Sequence, residues 1–330
     1  MELNRIQQVY DEVSLINFAL FSGDSSYFRK QIETILNDTV LDGGKRLRPT
    51  LLVLFGRFMG LKFQNLIPYA RAVEMAHAAT LAHDDVIDEA QERRNRLTMN
   101  AQLSNSHAVL GGDFLLARVI AEISSLGELE IVHDMAKVLE DLVAGEWLQL
   151  ESRRMAHSDR QRLILISEKK TASLFSWCCA TPARLKRTNA IAVELARDFG
   201  TQVGIAFQMV DDLVDFEPLS GKALFKDFHE GLMNYVTCEF LAKHPEKKDH
   251  FVSNFGRPTS DTSTGSMPWS EADLEESKEA VRVLAEQRID RAKTLLDSLK
   301  TNCLNSGVQV DEDAYLGLRD LLSEILVRKK

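Results

Sequence analysis

Apolar residues recur along most of the chain at steps of three and four residues, the spacing that places them on one face of an α-helix. Residues 66–88 depart from that pattern because apolar side chains fall on nearly every face, which is typical of a helix at the centre of a bundle. No segment has the alternation of period two that predicts a half-buried strand. Helical patterns cover residues 6–21, 27–36, 48–59, 66–88, 107–126, 129–150, 160–185, 190–216, 271–299 and 313–328. The pattern therefore predicts an all-α fold, a single large helical bundle.

The chain of 330 residues has no clear boundary between two domains. Residues 254–268 have the composition of a loop, but that stretch is too short to separate domains. The composition, 45% hydrophobic and 27% charged, is ordinary for a globular protein. We expect residues 1–330 to form one domain.

Charge, hydropathy and cysteine spacing narrow the functional classes. A net charge of −9 is the opposite of what a nucleic-acid-binding surface needs. No apolar run reaches the roughly 20 residues that span a bilayer, and the first residues have neither signal-peptide nor transit-peptide character. The cysteines lack CxxC spacing and favour free thiols in a reducing compartment; they are Cys178, Cys179, Cys238 and Cys303. These features predict a cytoplasmic protein with no transmembrane segment and no nucleic-acid partner.

Two copies of the pattern Asp-Asp-x-x-Asp stand at the ends of predicted apolar helices, DDVID at residues 84–88 and DDLVD at residues 211–215. Residues four apart lie on one face of a helix, so the first and last aspartate of each motif form a carboxylate pair. Such pairs suit Mg²⁺, which keeps several waters and shares its coordination with substrate phosphates. One such motif is often only a solvated acidic helix end, whereas two at the ends of apolar helices favour metal binding.

Basic residues accompany both motifs. The segment GGKRLRP at residues 43–49 puts two glycines and three cations at a predicted helix start, where N–H groups and the helix dipole favour anions. Arg93 and Arg94 follow the first motif, and arginine forks match phosphate oxygens. The other polar residues near apolar helices or after the second motif are Lys170, Thr171, Gln208 and Lys222. Any one of these cations would most often be an ordinary surface residue. Taken together with the aspartates, the cations indicate a site that binds diphosphate.

These motifs resemble, in content, order and spacing, those of the trans-prenyl (polyprenyl) diphosphate synthase family. The resemblance rests on GGKRLRP, HDDVID followed by ERR, GGDFLLAR, the Lys-Thr pair and FQMVDDLVD. It covers about residues 41–222, with a weaker match over residues 276–330. The resemblance implies an isoprenoid-synthase bundle around a deep central cavity, acting as a homodimer. It also implies a Mg²⁺-dependent transferase that joins an allylic diphosphate to isopentenyl diphosphate and releases inorganic diphosphate.

The resemblance further implies a role for each matching residue. The ligands of bridging Mg²⁺, three ions per site with substrate bound, would be Asp84, Asp88 and Asp211, supported directly or through water by Asp85, Asp212 and Asp215. The isopentenyl diphosphate would be held by Lys45, Arg48, His77 and Arg94, and the allylic diphosphate by Arg93. The residues around the allylic diphosphate and the developing cation would be Lys170, Thr171, Gln208 and Lys222.

The implied reaction proceeds by ionisation, condensation and elimination. Metal and cationic side chains stabilise the departing diphosphate while the allylic C–O bond breaks. The isopentenyl double bond attacks the cation, and a proton then passes to the departed diphosphate, since no side-chain base is evident. Water must be excluded because it would quench the cation to an alcohol.

The chain departs from the family pattern at several positions. Asn95 and Leu97 stand where the family has glycine and proline after the arginine pair. Leu232 replaces a lysine that contacts diphosphate, and Asn234 and Val236 replace threonine and proline. These changes predict an effect on the closing loop and on the rate, while all six motif aspartates are kept.

Small residues before the first motif predict the product length. An acceptor with its diphosphate at Asp84 would extend along the same helix past Thr80 and Ala79, then Ala76. Family members that stop at fifteen carbons commonly carry a bulky aromatic residue at the four- or five-residue offset. We therefore expect an all-trans product longer than twenty carbons, although small residues would also suit tight helix packing.

Three alternatives remain open. A short-chain synthase would stop at fifteen or twenty carbons. A non-catalytic subunit of a heteromeric synthase is favoured by the downstream departures but not by the intact aspartates. A class I terpene cyclase would carry an Asn/Ser/Glu-type second metal motif, unlike residues 211–215.

Overall fold

The computed structural model describes residues 3–16, 27–41, 43–93, 96–217, 224–257 and 267–327. The α-helices are α1 (Leu3–Ser14), α2 (Tyr27–Leu36), α3 (Leu47–Phe58), α4 (Phe63–Ile87), α5 (Met99–Gln102), α6 (Asn105–Ser124), α7 (Leu129–Ser152), α8 (Arg160–Ser167), α9 (Ser173–Leu185), α10 (Ala190–Val214), α11 (Lys226–Glu230), α12 (Tyr235–Lys243), α13 (Lys248–Asn254), α14 (Glu271–Asn305) and α15 (Glu312–Leu326). Over these ranges the β structure is one hairpin, β1 (Glu92–Arg93) and β2 (Arg96–Leu97), in which Arg93 pairs with Arg96. The all-α prediction is confirmed. Within the same ranges no helix is both long and apolar enough to cross a bilayer.

The long helices follow the hydrophobic pattern, but one predicted helix is divided. Over residues 160–185, α8 and α9 are separated by a π-helical turn, Glu168–Ala172. A π-turn shifts the buried face by one residue and needs neither glycine nor proline, so the apolar spacing does not reveal it. The part of the first predicted helix at residues 17–21 lies outside the described residues.

Packing within the described residues groups the chain into two compact units. The first draws on Met1–Ala136, Trp177–Val193 and Asn302–Leu318, and the second on Lys137–Ser176, Glu194–Thr301 and Arg319–Lys330. Each unit combines stretches that are far apart in sequence, so neither is a consecutive segment of the chain. The expectation of a single domain stays a prediction.

Helix α4 lies in the core of the first unit, as its all-round apolar pattern predicts. Helix α3 approaches it closely, because a Cβ on Gly56 would lie only 2.4 Å from a methyl carbon of Leu66. Helix α6 approaches through Gly112, where a Cβ would lie 2.2 Å from Nε2 of His83. The two glycines allow close packing that fixes α4, and with it the first aspartate motif.

An aromatic cluster supports the end of α10 in the second unit. Its members, all buried or half-buried, are Phe216, Phe225, Phe228, Phe240, Phe251, Phe255 and Trp269. The ring centroids of Phe228 and Trp269 are 4.8 Å apart, in an edge-to-face arrangement. Phe216 follows the second motif directly and packs on Phe225 at 5.5 Å, so the cluster anchors that motif to the core of its own unit.

Candidate active site

The first aspartate motif lies at the C-terminal end of α4. The Asp88 N–H donates to the Asp84 carbonyl at 2.8 Å, so helical spacing holds through the motif and places both carboxylates on one face. Glu89 then adopts a left-handed backbone with φ of 53° and ends the helix. Asp84 and Asp88 are half-buried, whereas Asp85 is fully buried.

An arginine from the following hairpin holds Asp85. Arg93 donates from Nε to Asp85 Oδ1 at 2.9 Å, and one of its terminal nitrogens lies 2.8 Å from the same oxygen. The Asp85 carbonyl accepts from the Ala90 N–H at 2.9 Å and from the Asn100 side-chain amide at 3.2 Å. The guanidinium expected at the allylic diphosphate is therefore oriented by the motif itself. Arg94 lies outside the described residues.

The glycine-rich segment before α3 separates its three cations. Gly43 and Gly44 have φ of 85° and 82°, a left-handed backbone that only glycine adopts readily. Arg46 caps the start of α3, and its guanidinium donates to the buried Glu74 carboxylate of α4. Lys45 is exposed and Arg48 is half-buried. Arg46 thus fastens the segment to α4, while Lys45 and Arg48 stand on either side of it in the sequence.

The other predicted residues of α4 lie on the helix within two turns of Asp84. Ala76 and Ala79 are fully buried, and Thr80 is half-buried with its hydroxyl donating to the His77 carbonyl at 2.8 Å. His77 is itself half-buried. The helix continues without a break from these residues to the first motif, as the length prediction requires.

His83, which the sequence analysis did not single out, fixes the end of α4 against α6. Its Nε2 lies 3.1 Å from the Val109 carbonyl oxygen and 3.5 Å from a carboxylate oxygen of Asp113. The glycine pair of GGDFLLAR makes room for this contact, since Gly111 packs on Met99 and Gly112 on His83. This motif thus contributes helix packing beside the first aspartate motif.

The second motif lies at the end of α10, and its middle aspartate, Asp212, is hydrogen-bonded by neutral groups. Gln208 donates to Asp212 Oδ1 at 2.8 Å, and the Tyr235 N–H donates to Asp212 Oδ2 at 2.9 Å. Burial, and next the nearby Asp227, raise the pKa of the Asp212 carboxyl well above its ordinary value. Asp211 is half-buried. The middle aspartate again anchors the motif internally, but here the hydrogen bonds come from neutral groups, a side-chain amide and a backbone N–H.

Asp215 caps the short helix that follows. Its two carboxylate oxygens accept the backbone N–H groups of Lys226 at 3.1 Å and Asp227 at 3.2 Å. Asp227 in turn accepts from the Asn234 side-chain amide at 3.0 Å. The last aspartate of the motif therefore ties α10 to α11 and to the start of α12. Lys222, which precedes α11, lies outside the described residues.

Lys170 and Thr171 lie in the π-turn between α8 and α9. The Thr171 hydroxyl donates to Gln208 Oε1 at 2.7 Å, which extends the chain of hydrogen bonds that ends on Asp212. The Lys170 ammonium forms an ion pair with Glu146 of α7. π-Turns within α-helices are frequent at functional sites, and this one displays two predicted site residues side by side.

The departures after the second motif keep the local fold. Asn234 caps α12: its side chain accepts from the Thr237 N–H at 3.0 Å, and the Thr237 hydroxyl accepts from the Asn234 N–H at 3.0 Å. An asparagine can therefore replace threonine here, because both are good N-caps. Val236 is fully buried in the first turn of α12, and Leu232 is half-buried.

The donor set fits a hard divalent cation shared with a diphosphate. The first motif would offer Asp84 and Asp88 and the second would offer Asp211, and Mg²⁺ takes the rest of its six oxygens from water and phosphate. Among the described residues, no group of three or more His, Cys, Asp or Glu side chains is gathered in a metal-binding arrangement.

Comparison with known proteins decides the family. The polyprenyl synthetase family model matches residues 29–266. The chain belongs to this family. The rice (Oryza sativa subsp. japonica) solanesyl-diphosphate synthase 1, mitochondrial, is 31% identical over 80% of this chain and 66% of its own length. The heptaprenyl diphosphate synthase component 2 of Geobacillus stearothermophilus is 31% identical over 84% of this chain and 87% of its own length.

Solved structures agree on the fold of this chain. The polyprenyl synthase of Caulobacter crescentus CB15, complexed with calcium and isoprenyl diphosphate, is 25% identical with a TM-score of 0.76, covering 99% of this chain and 98% of that chain. The predicted isoprenoid-synthase type of fold is confirmed. The match covers less than two thirds of the rice protein and 60% or less of several other curated relatives.

Sequence reasoning missed the residues that hold the predicted ones. Tyr235 reaches Asp212 through its backbone and donates its hydroxyl to Ser167 at 3.1 Å. Glu146 pairs with Lys170, and Glu74 with Arg46. The sequence carries one hint of this, namely acidic residues within helices whose neighbours are apolar.

Proposed function

We propose that this polyprenyl synthetase is a Mg²⁺-dependent trans-prenyltransferase that joins an allylic diphosphate to isopentenyl diphosphate. One observation carries the proposal: the two aspartate motifs are built alike. In each, the middle aspartate is buried and tied to its own unit, while the first, Asp84 or Asp211, is half-buried at a helix end. We assign both motifs to one reaction, with 1–330 acting as a single catalytic domain.

The chain's cations hold and orient the two diphosphates. Mg²⁺, three ions per site with substrate, supplies the positive charge that stabilises the departing diphosphate. Arg93, oriented by Asp85, and Lys170, on the π-turn, serve the allylic diphosphate. Lys45 and Arg48, at the start of α3, serve the isopentenyl diphosphate together with His77 and Arg94.

The remaining site residues protect the allylic cation. Gln208 and Thr171, linked to each other and to Asp212, present a fixed amide and hydroxyl dipole. Leu213 and Val214, between the aspartates of the second motif, are buried and exclude water from it. Elimination passes a proton to the departed diphosphate.

We propose a product longer than twenty carbons. Alanine at positions 76 and 79 and threonine at position 80 put small side chains at the offsets of eight, five and four residues before Asp84. The names of the rice and Geobacillus relatives, solanesyl and heptaprenyl, support a long chain. The full burial of both alanines also fits helix packing, which keeps a short-chain product as the alternative.

A second candidate function is the non-catalytic subunit of a heteromeric synthase. The name of the Geobacillus relative, a component 2, supports a synthase built from more than one kind of chain. The complete pair of aspartate motifs favours catalysis by this chain.

We also propose a cytoplasmic homodimer. Three large apolar side chains of α7 at helical spacing are exposed, Val143 at 66%, Trp147 at 65% and Leu150 at 40%, and a second copy would cover them. The four cysteines are free and buried, as expected in a reducing compartment. Burial raises the pKa of Cys238 to about 12 and keeps that thiol unreactive.

One assay separates these functions. The purified chain alone is given Mg²⁺, labelled isopentenyl diphosphate and, in separate reactions, dimethylallyl, farnesyl or geranylgeranyl diphosphate, and the extracted products are separated by length. We expect all-trans prenyl diphosphates above twenty carbons. Products of fifteen or twenty carbons would indicate the short-chain enzyme. Cyclic hydrocarbons would indicate a cyclase, and inactivity of the chain alone would indicate the subunit role.

A further inference from the structure

We propose that Glu146 of α7 is a positioning residue that aims the Lys170 ammonium at the allylic diphosphate. The inference rests on the proposed function, in which Lys170 contacts that diphosphate. It concerns a residue outside both aspartate motifs and outside the predicted site.

Glu146 is a buried carboxylate whose charge is balanced by one lysine. Its side chain is 12% exposed and that of Lys170 is 24% exposed. Both carboxylate oxygens are buried, and neither accepts a hydrogen bond of normal geometry from the described residues. Burying an ionised acid without donors is costly. The ion pair with Lys170 offsets that cost, so the carboxylate is held where the ammonium is.

The backbone that carries Lys170 is fixed from two sides. A Cβ on Gly145, next to Glu146, would lie 2.7 Å from the Lys170 backbone nitrogen. On the other side, a Cβ on Gly204 of α10 would lie 2.4 Å from the Ala172 Cα. Since both contacts are to backbone atoms, the π-turn cannot shift without moving a helix. The freedom that remains to Lys170 is in its four-carbon side chain, and Glu146 is placed to restrict it.

Restricting the ammonium matters because lysine is a point charge on a flexible stem. Charge develops on the departing diphosphate as the C–O bond breaks, and a fixed cation stabilises it without reorganising. A displacement of about 1 Å in such a group can cost on the order of a hundredfold in rate. Glu146 would therefore act on the chemical step through Lys170.

The adjacent lysine provides a matched control. Lys169, in the same π-turn, pairs with Asp141 of the same helix α7, Nζ to Oδ1 at 2.7 Å. Asp141 is 44% exposed, and neither partner is assigned to the site. The two pairs join the same elements with the same chemistry, so Asp141→Asn measures what a lost ion pair does to the packing alone.

The test is a double-mutant cycle on the full-length protein with Glu146→Gln, Lys170→Gln and the double variant. We expect Glu146→Gln to lower kcat at least tenfold with a smaller change in KM for the allylic substrate, and Glu146→Asp to recover part of the loss. In the Lys170→Gln background, Glu146→Gln should lower kcat little further, because the lysine through which Glu146 acts is absent. Asp141→Asn should stay within about twofold of the wild type.

Binding of an inert thiolo-diphosphate analogue of the allylic substrate gives a readout that does not need turnover. We expect Glu146→Gln to weaken it about as much as Lys170→Gln does, with the melting temperature of Glu146→Gln unchanged because the ammonium that it leaves unpaired is partly exposed. The proposal is overturned if Glu146→Gln lowers kcat by the same factor in the wild type and in the Lys170→Gln background. It is also overturned if Asp141→Asn lowers kcat as much as Glu146→Gln does, or if Glu146→Gln does not lower kcat. If Lys170→Gln changes neither binding nor turnover, the assigned role of Lys170 in the proposed function fails instead.

Discussion

The two aspartate motifs share a pattern, but their middle aspartates are held in different ways. Asp85 is neutralised by Arg93, which the hairpin after α4 brings back onto the motif. Asp212 is held by neutral donors, the Gln208 amide and the Tyr235 N–H, and it lies near another acid, Asp227. The middle aspartate of the first motif is therefore paired with a cation, whereas the middle aspartate of the second motif is hydrogen-bonded by neutral groups near another acid.

The difference indicates a division of work between the motifs. A motif whose middle aspartate is already paired with an arginine gains less stability from a bound metal cation. A buried aspartate that lies near another acid gains more from divalent metal, because opposite charge close by favours the ionised form. We expect the motif of α10 to depend on Mg²⁺ more steeply than the motif of α4.

The largest expected effect comes from removing the first aspartate of either motif. Asp84→Ala and Asp211→Ala should each lower kcat about a hundredfold or more, since each removes a metal ligand at a developing charge. The melting temperature should change little because both side chains are half-buried at helix ends. Turnover with saturating Mg²⁺ and thermal melts check this. Retention of more than a tenth of the activity would contradict the metal roles.

The next largest effect is on product length, and it concerns only the helix that carries the first motif, α4. Ala79→Phe should shorten the product sharply by filling the path before Asp84. Because Ala79 is fully buried and a phenylalanine could overpack it, Thr80→Phe at the half-buried neighbouring position serves as the second variant. Chromatography of the products checks both. An unchanged length distribution in two folded variants would mean that the chain does not grow along α4.

The two anchors should differ in their effect on stability. Asp85→Asn leaves Arg93 without its carboxylate and should cost about 1–3 kcal/mol of unfolding free energy at neutral pH. The raised pKa of Asp212 means that the folded protein holds this proton more tightly than the unfolded chain does. The stability that this group contributes is full below its unfolded pKa and is lost as pH rises through the folded pKa.

Asp212→Asn removes that titration, so its stability relative to wild type should improve as pH rises. Urea unfolding of metal-free protein at pH 5 and pH 8 measures the trend. A penalty for Asp212→Asn that is the same at pH 5 and pH 8 would show that Asp212 is ionised in the fold throughout this range, and the contrast between the anchors would be lost.

The smallest effect is expected after the second motif. Leu232→Lys restores the cation typical of the family in a half-buried position, while the nearby Lys226 is exposed and lies 3.5 Å from Glu230. KM for the allylic substrate should fall severalfold if that cation is missing. An unchanged KM would mean that another residue already supplies it. Leu224→Lys, an exposed leucine before α11, controls for added charge.

The sequence predicts the long helices and the motif geometry because both follow from local periodicity. The apolar spacing identifies α4 and α10, and the helical spacing expected between Asp84 and Asp88 is seen in the backbone hydrogen bond that joins them. The π-turn at Lys170 escapes this reasoning, since nothing in the pattern marks the one-residue shift.

The contacts that support the site could not be predicted for a different reason. Arg93 reaches Asp85 across eight residues, Tyr235 reaches Asp212 across 23, and Glu146 pairs with Lys170 from another helix. Such pairs depend on how elements pack, which a single sequence does not encode as a spacing.

The central claim, that both motifs act in one reaction, is tested most directly by the turnover of Asp84→Asn/Asp211→Asn. Groups that act as a unit lose little more together than singly. Turnover is measured by release of labelled diphosphate at saturating Mg²⁺. We therefore expect the fold-loss of turnover in the double variant to be much smaller than the product of the fold-losses in the two single variants. A loss equal to that product would show that the motifs act independently and would contradict the account.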